Sequence, residues 1–519
     1  MLQHRVIVSK ANQALVIPRI GQTVNLFPKA HRLAHLDQDW LVVPHDIRSH
    51  VMLKRLGIES PNPMLLHYDW VGGAPFAVQR ATCAMLTSNQ RAYVLNSMGT
   101  GKTKSALWAW DYLHGNGLAG KLLVVAPKST LRFTWAREIF ATLPHRKVEI
   151  LIGEKKRRLE ALNRDADIYV INHDGVKVIE EQLAARKDID AIVLDELAVY
   201  RNNSDRSKRM RKFAKNFGWI WGMTGCPMPQ EPTDVWAQCM IVTPDTVPKY
   251  WTHARDMLMT KINQFKYVPK PDAVDTAFRF MQPSVRFSLD DVVELPEVVS
   301  RTLDVPLSTE QQRVYKALAD KFRVDVHNKS ITAVNAAAAM NKLLQVACGW
   351  VYTGATGSVS LDAKPRVEVL LDLIEANERK LIVYVPFRHA IDGLSQILTQ
   401  EGIEAAVVHG EVSNRDEIFN AFQNTTKYKV MLAHPGTVAH GLTLTAADAI
   451  IWYSPMASLE TYEQANARIT RVGQKHRKQV IHLQSTPVEK RIYNLLRGKK
   501  RVQDALLEMF EDASEELIT

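Results

Sequence analysis

Apolar and polar positions along this 519-residue chain alternate in two long stretches of similar design. From Pro75 onward, short runs that are apolar almost throughout are separated by charged stretches with helical spacing: AYVLN, KLLVVAP (121–127), DIYVIN (167–172), AIVLDE (191–196) and WIWGMTG (219–225). Such runs predict strands buried on both faces, and hence a parallel sheet covered by helices. A second set starts near residue 380 with KLIVYVPF and continues through EAAVVHG, KVMLAHPG, AIIWYSP and QVIHL. Between the sets, from about 245 to 360, LSTEQQRVYKALADKF and NAAAAMNKLLQVA read as helices and TGATGSVS as a turn. Ahead of the first set, VIVSKANQALVIPRI and DWLVVP read as strands, and IRSHVMLKRLGI as a helix closing at Gly57. The expected fold is α/β: a small N-terminal α+β module (1–72), one parallel-sheet lobe with a helical projection (73–300), and a helical insertion with a second lobe (301–519).

One stretch carries chemistry at once. Residues 93–110, YVLNSMGTGKTKSALWAW, read as strand, glycine turn and helix, with Gly99 and Gly101 in the turn and Lys102 and Thr103 opening the helix. Backbone N–H groups of Ser97, Met98, Gly99, Thr100 and Gly101 would face an anion there, and the helix dipole would add favourable potential. Lys102 would reach the β/γ-phosphates of ATP and the Thr103 hydroxyl would hold Mg²⁺. The full phosphate-loop pattern asks for glycine where Asn96 stands, so only its second half is intact. Asp195 and Glu196 end the apolar strand AIVLDE. An aspartate there can hold Mg²⁺ through water, and the adjacent glutamate can orient and deprotonate the attacking water. In LETYEQANARITRVGQ, Gln464, Arg468 and Arg471 are spaced four and three apart and are expected on one helical face. If that face closes on the first lobe, Arg468 and Arg471 would act as arginine fingers on the transferred phosphoryl group.

Composition narrows the partner. The formal net charge is +11 and the pI about 9.3, which favours a polyanion, with nucleic acid ahead of a membrane surface. No apolar run approaches the roughly 20 residues of a bilayer span, and no signal-peptide pattern opens the chain. Cys83, Cys226, Cys239 and Cys348 lack metal-ligand spacing and read as buried thiols of a reducing compartment.

GTGKT, DE, TGCP (224–227) and QANARITRVGQ occur in the order of the superfamily-two helicases, and the details resemble the Swi/Snf-like branch of DNA translocases. PFAVQRATCAML looks like the family's Gln-containing segment, which implies that Gln79 reads adenine. VVAPKSTLRFTWAREI resembles its first DNA-contact motif, with the typical Trp135 and Glu138. VHGEVSNRDEIFNAF and GTVAHGLTLTAADAIIWYSP look like second-lobe motifs, the latter placing Gly441 at the nucleotide, and Gly473-Gln474 fits the same branch. LDDVVELPEV resembles the usual approach to the second lobe. The resemblance covers roughly 73–490 and implies two RecA-like lobes with ATP between them. It also implies sequence-independent phosphate contacts from Lys128, Ser129, Thr130 and Arg132 in the first lobe, and from Phe387, Arg388, His409 and Thr437 in the second. Two departures stand out: Leu197-Ala198 follows the DE pair where the family has Ala-His or a near variant, and Cys226 replaces a threonine.

Three readings result. The first is an ATP-dependent translocase on duplex DNA without sequence preference, remodelling protein–DNA complexes or branched DNA. The second is a strand-separating DNA or RNA helicase. The third is a nucleotide-switched nucleic-acid-binding module with little turnover. The compact architecture points to a bacterial or viral source and a cytoplasmic location, or a nuclear one in a eukaryote.

Overall fold

The structure is a computed structural model that describes residues 6–18, 23–27, 29–35, 38–263, 266–288, 291, 298–327, 333–353, 357–438, 444–469 and 478–498. The chain divides into two compact units, residues 1–292 and 293–519.

The first unit begins with an antiparallel sheet of β1 (Ile7–Ser9), β2 (Ala14–Pro18), β3 (His31–His35) and β4 (Gln38–Pro44), in the order β1-β2-β4-β3. The helix Ile47–Arg55 follows, capped by the Asp46 carboxylate, and the chain turns at Gly57 with φ +73°. Leu15, Ile17, Leu41, Val43 and Leu53 form its core. The strand β3, HRLAH, is absent from the sequence reading because its polar residues hide the alternation.

The main sheet of this unit contains β5 (Arg91–Val94), β6 (Lys121–Ala126), β7 (Val148–Leu151), β8 (Ile168–Asn172), β9 (Ile189–Asp195) and β10 (Trp219–Met223). After β10 come a small hairpin, β11 (Met259–Lys261) with β12 (Tyr267–Pro269), and the two-residue β13 (Ser284–Val285). The order β13-β5-β10-β9-β6-β8-β7 is parallel throughout. Leu123 and Val125 pack on one face and Leu122 and Val124 on the other, which is why β6 is apolar at successive positions.

The second unit starts with β14 (Val298–Asp304), then a helix pair (Thr309–His327 and Ala333–Cys348) and a hairpin of β15 (Trp350–Thr353) and β16 (Gly357–Ser360). Its sheet adds β17 (Lys380–Tyr384), β18 (Ala405–Val408), β19 (Val430–Ala433), β20 (Ala447–Trp452) and β21 (Lys478–Gln484), in the parallel order β14-β21-β20-β17-β19-β18. The stretch expected to be helical between the sets therefore gives one edge strand to each sheet. β13 is too short, and VVSRTLD in β14 too exposed, to show as apolar runs. TGATGSVS likewise contains β16.

Arg366 and Glu489 form a two-pronged ion pair, both bonds 2.8 Å, at 1% and 0% side-chain exposure. Arg366 also donates to the Tyr453 carbonyl and to Ser485 Oγ, so the pair ties the helix Lys364–Ala376 to the end of β20 and the helix Pro487–Arg497. No described helix is long and apolar enough to cross a membrane.

Candidate nucleotide site and nucleic-acid contacts

Parallel pairing brings the carboxyl ends of β5, β10, β9 and β6 to one edge of the first sheet, in that order. The phosphate loop, Thr224-Gly225, the Asp195-Glu196 pair and Lys128–Thr130 are thus neighbours although separate in sequence.

In the loop, Gly99 and Gly101 hold φ +82° and +83°, left-handed values that favour glycine. A Cβ on Gly101 would stand 2.1 Å from Gln79 Nε2, so the loop and the Gln79 side chain can approach only because that atom is missing. Gln79 is held at both ends: its Oε1 accepts from the Phe76 N–H at 3.0 Å and its Nε2 donates to the Thr100 carbonyl at 3.4 Å. Lys102 begins the helix Lys102–Gly115, and its Nζ folds back to the carbonyls of Asn96 (2.7 Å) and Ser97 (3.2 Å). The Thr100 hydroxyl donates to the Ser97 carbonyl. Met98 and Thr103 complete the turn and the first helical residues. A Cβ on Gly225 would lie 3.7 Å from Lys102 Nζ, so the TGCP turn lines the same cradle.

Asn96 is 1% exposed and belongs to the scaffold of the loop. Its Nδ2 donates to Thr82 Oγ1 and its Oδ1 accepts from the Phe287 N–H, both at 3.0 Å. The Ser97 N–H returns a bond to the Phe287 carbonyl at 2.8 Å. Phe287 has no signature in the sequence that could have singled it out.

Asp195 Oδ2 accepts from the indole N–H of the fully buried Trp135 at 2.8 Å, and Oδ1 from the Glu196 N–H at 3.1 Å. Burial pushes the Asp195 pKa upward, opposed by the Trp135 bond, the Lys102 charge and the Glu196 N–H. Glu196 has φ +54° and ψ 53°, one of two described non-glycine residues with positive φ. That conformation costs free energy and is typical of functional sites. Ala198 is buried in the turn Leu197–Tyr200. The cradle, the lysine and the two acids fit a polyphosphate with a hard cation.

Lys128, Ser129 and Arg132 are exposed beyond β6. Thr130 differs from expectation: it is 3% exposed and its hydroxyl donates inward to the Pro127 carbonyl, which makes it a turn residue. In the second unit, Arg388 pairs with Glu411 and, at 3.7 Å, with Asp392, whose other oxygen lies 3.6 Å from His409 Nε2. Thr437 follows β19, its N–H bonded to the His434 carbonyl. Phe387 is 9% exposed. Arg388, His409 and Thr437 thus sit beyond the carboxyl ends of β17, β18 and β19.

The expected helical face of Gln464 and Arg468 is corrected. The helix Leu459–Asn466 ends before Arg468, whose Nε donates to the Gln464 carbonyl at 2.9 Å, so the arginine caps the helix. Arg468 is 3% exposed. Arg471, Gly441, Gly473-Gln474 and most of LDDVVELPEV lie outside the described residues. Of the four cysteines three are buried, and Cys226 is half-buried.

A family model for the SNF2-related domain matches residues 80–348, and one for the helicase conserved C-terminal domain matches 365–473. Putative protein p41 of Acyrthosiphon pisum secondary endosymbiont phage 1 is 25% identical over 449 residues, 81% of this chain and 95% of that protein. An uncharacterized ATP-dependent helicase of Mycoplasma genitalium is 25% identical over 429 residues, 80% of this chain and 40% of its own. An ISWI chromatin-remodeling complex ATPase of Saccharomyces cerevisiae is 23% identical over 470 residues, 84% of this chain and 40% of its own. The chain therefore spans about 40% of the length of these two cellular relatives. A solved Sulfolobus solfataricus SWI2/SNF2 ATPase core in complex with dsDNA aligns at 20% identity with a TM-score of 0.40, covering 87% of this chain and 98% of that one. The SNF2-related match alone takes in more than half of the chain, including the phosphate loop, the acid pair and the TGCP turn, and by it the chain belongs to the SNF2-related family of helicase-like ATPases.

Proposed function

We propose that this chain is an ATP-dependent translocase on double-stranded DNA, coupling hydrolysis to movement and to remodelling of protein–DNA complexes or branched DNA. The observation that carries the reading is the shared sheet edge on which the Lys102 loop, the Asp195-Glu196 pair and the exposed Lys128, Ser129 and Arg132 are neighbours. The acid pair and a basic strand-end surface then lie at the ends of the adjacent strands β9 and β6. The +11 net charge supports a polyanionic track, and so do the names of relatives that are chromatin-remodeling ATPases.

In this reading the N–H groups of residues 97–101 bind the phosphates, Gln79 reads adenine, and Lys102 neutralises the β/γ oxygens. Thr103 and Asp195 would hold Mg²⁺, which would supply positive charge to the phosphate oxygens. Glu196 orients and deprotonates the attacking water. Gly441 contributes to nucleotide binding, and Arg468 and Arg471 stabilise charge on the transferred group. Lys128, Ser129, Arg132, Arg388, His409 and Thr437 contact DNA phosphates. The protein works wherever its DNA is, in bacterial or infected-cell cytoplasm or in a nucleus.

The test is ATP hydrolysis with no nucleic acid, RNA, single-stranded DNA and duplex DNA in turn, beside a strand-displacement assay. Duplex DNA should stimulate most, without displacement. Unwinding of a blunt duplex would overturn the translocase reading in favour of a strand-separating helicase.

A further inference from the structure

Trp135 is fully buried, yet its indole N–H is spent on a carboxylate of the nucleotide site: it donates to Asp195 Oδ2 at 2.8 Å. The residue sits in an unusual piece of backbone. The turn Lys128–Thr130 leaves β6 and runs directly into a π-helical segment, Leu131–Ala136, which continues into the helix Arg137–Thr142. A π-helical turn carries an extra residue, which re-aims the side chains around it, and such turns concentrate at functional sites. Here it puts Arg132 at the surface and Trp135 in the interior, facing the end of the adjacent strand β9. Lys128, Ser129, Arg132 and Trp135 thus belong to one continuous turn, exposed at one end and hydrogen-bonded to Asp195 at the other.

We propose that Trp135 is a positioning residue for the ATPase reaction: its N–H sets the orientation of the Asp195 carboxylate, and its turn carries the effect of nucleic acid at Lys128, Ser129 and Arg132 to the acid pair. The second half rests on the proposed DNA contacts, whereas the first half does not. The Trp135 N–H on Oδ2 and the Glu196 N–H on Oδ1 together fix the rotation of the carboxylate, and each oxygen keeps a second lone pair for a cation or its water. Displacing the turn moves the donor, so the site has a direct mechanical input from the surface.

The experiment uses the full chain and the substitution Trp135→Phe, which keeps an aromatic ring and removes the N–H. The readouts are melting temperature, binding of a fluorescent ATP analogue with and without Mg²⁺, duplex affinity, and hydrolysis with and without duplex. The Mg²⁺ concentration for half-maximal effect on nucleotide binding should rise about tenfold or more. Nucleotide affinity without Mg²⁺ and duplex affinity should stay within twofold of the parent, and stimulation by duplex should be lost. An unchanged Mg²⁺ requirement would overturn the positioning role, and retained stimulation would overturn the coupling. If the parent protein is not stimulated by duplex while the Mg²⁺ requirement still shifts, the proposed function fails and the positioning role stands. Should the Phe variant not fold, Trp135→Tyr is judged by the same thresholds.

Discussion

The side-chain oxygen of Asn96 accepts the backbone N–H of Phe287 at 3.0 Å, across 191 residues of chain. The same amide donates to Thr82, so the residue that breaks the phosphate-loop pattern clips the loop to the helix Ala77–Ser88 on one side and to the segment after β13 on the other. Asn96→Gly would install the residue the pattern asks for and is expected to harm the protein. It leaves the Phe287 N–H without its acceptor and removes the donor to Thr82, whose hydroxyl still donates to the Val78 carbonyl, a loss of about 1–3 kcal/mol. A lower melting temperature and weaker nucleotide binding are expected, and unchanged values in both would dismiss the clip.

Lys102→Ala should abolish nucleotide binding, because the anion loses its charge partner at the start of the helix. Glu196→Gln should leave nucleotide bound and slow turnover by roughly 10²–10⁴-fold, the usual worth of a general base. Equilibrium binding and single-turnover hydrolysis separate the two. An unchanged hydrolysis rate in Glu196→Gln would remove Glu196 from the catalytic role.

Lys128→Ala combined with Arg132→Ala should weaken duplex binding for all sequences alike and reduce the slope of log affinity against log salt by roughly 2. Thr130→Ala removes an inward-facing turn bond and should leave that slope unchanged. Fluorescence anisotropy at several salt concentrations reads both. Equal slopes in the parent and the double variant would show that this loop does not touch phosphates.

Glu489→Gln leaves the buried Arg366 guanidinium uncompensated and should destabilise the second unit by about 3–5 kcal/mol. Arg366→Met with Glu489→Leu removes both charges and should cost much less. Denaturant titration of the three proteins decides it. A double variant as unstable as the single one would mean that packing, not the unpaired charge, dominates.

His482 is fully buried in β21, with Nε2 on the Tyr462 hydroxyl, and burial first, then the Arg497 charge, lower its pKa to about 4 against a backbone bond to Arg301. The folded state therefore keeps it neutral where the unfolded chain, near 6.5, already binds a proton. Its neutral form stabilises the fold fully above pH 6.5, and that stability is lost as pH falls toward 4, by an amount on the order of 3 kcal/mol. Melting curves across this window should flatten in His482→Gln. A parent whose melting temperature does not fall between those limits would contradict the assignment.

Much of this fold is legible in the sequence. The ten apolar runs became β5, β6, β8, β9, β10 and β17 to β21, because strands buried on both faces must be apolar at every position. The cradle was legible in Gly99, Gly101 and Lys102 because each has a local backbone or charge reason to be there. Edge strands β3, β7, β13 and β14 were not, since an edge can be short or polar. The partners Asn96–Phe287 and Arg366–Glu489 were also hidden, because nothing local marks a pair joined only by the fold. Helical spacing misled at Arg468, where the helix had already ended and the side chain capped it.

In the second sheet, β14 pairs with β21 from Val298↔Lys478 to Asp304↔Gln484. The ribosome thus makes the first strand of this sheet long before the strand that covers it: Asp304 precedes its partner Gln484 by 180 residues. At bacterial to eukaryotic elongation rates the wait is roughly 10–40 s, with β14 unpaired throughout and the edge of β20 joining it only in the last part. The first sheet waits as long for its edge, since β13 at residues 284–285 pairs with β5 across 191 residues, but it is complete before the second sheet begins at Val298. Topology alone thus gives the chain an order of birth, with the phosphate loop clipped in place while the second sheet still lacks a strand.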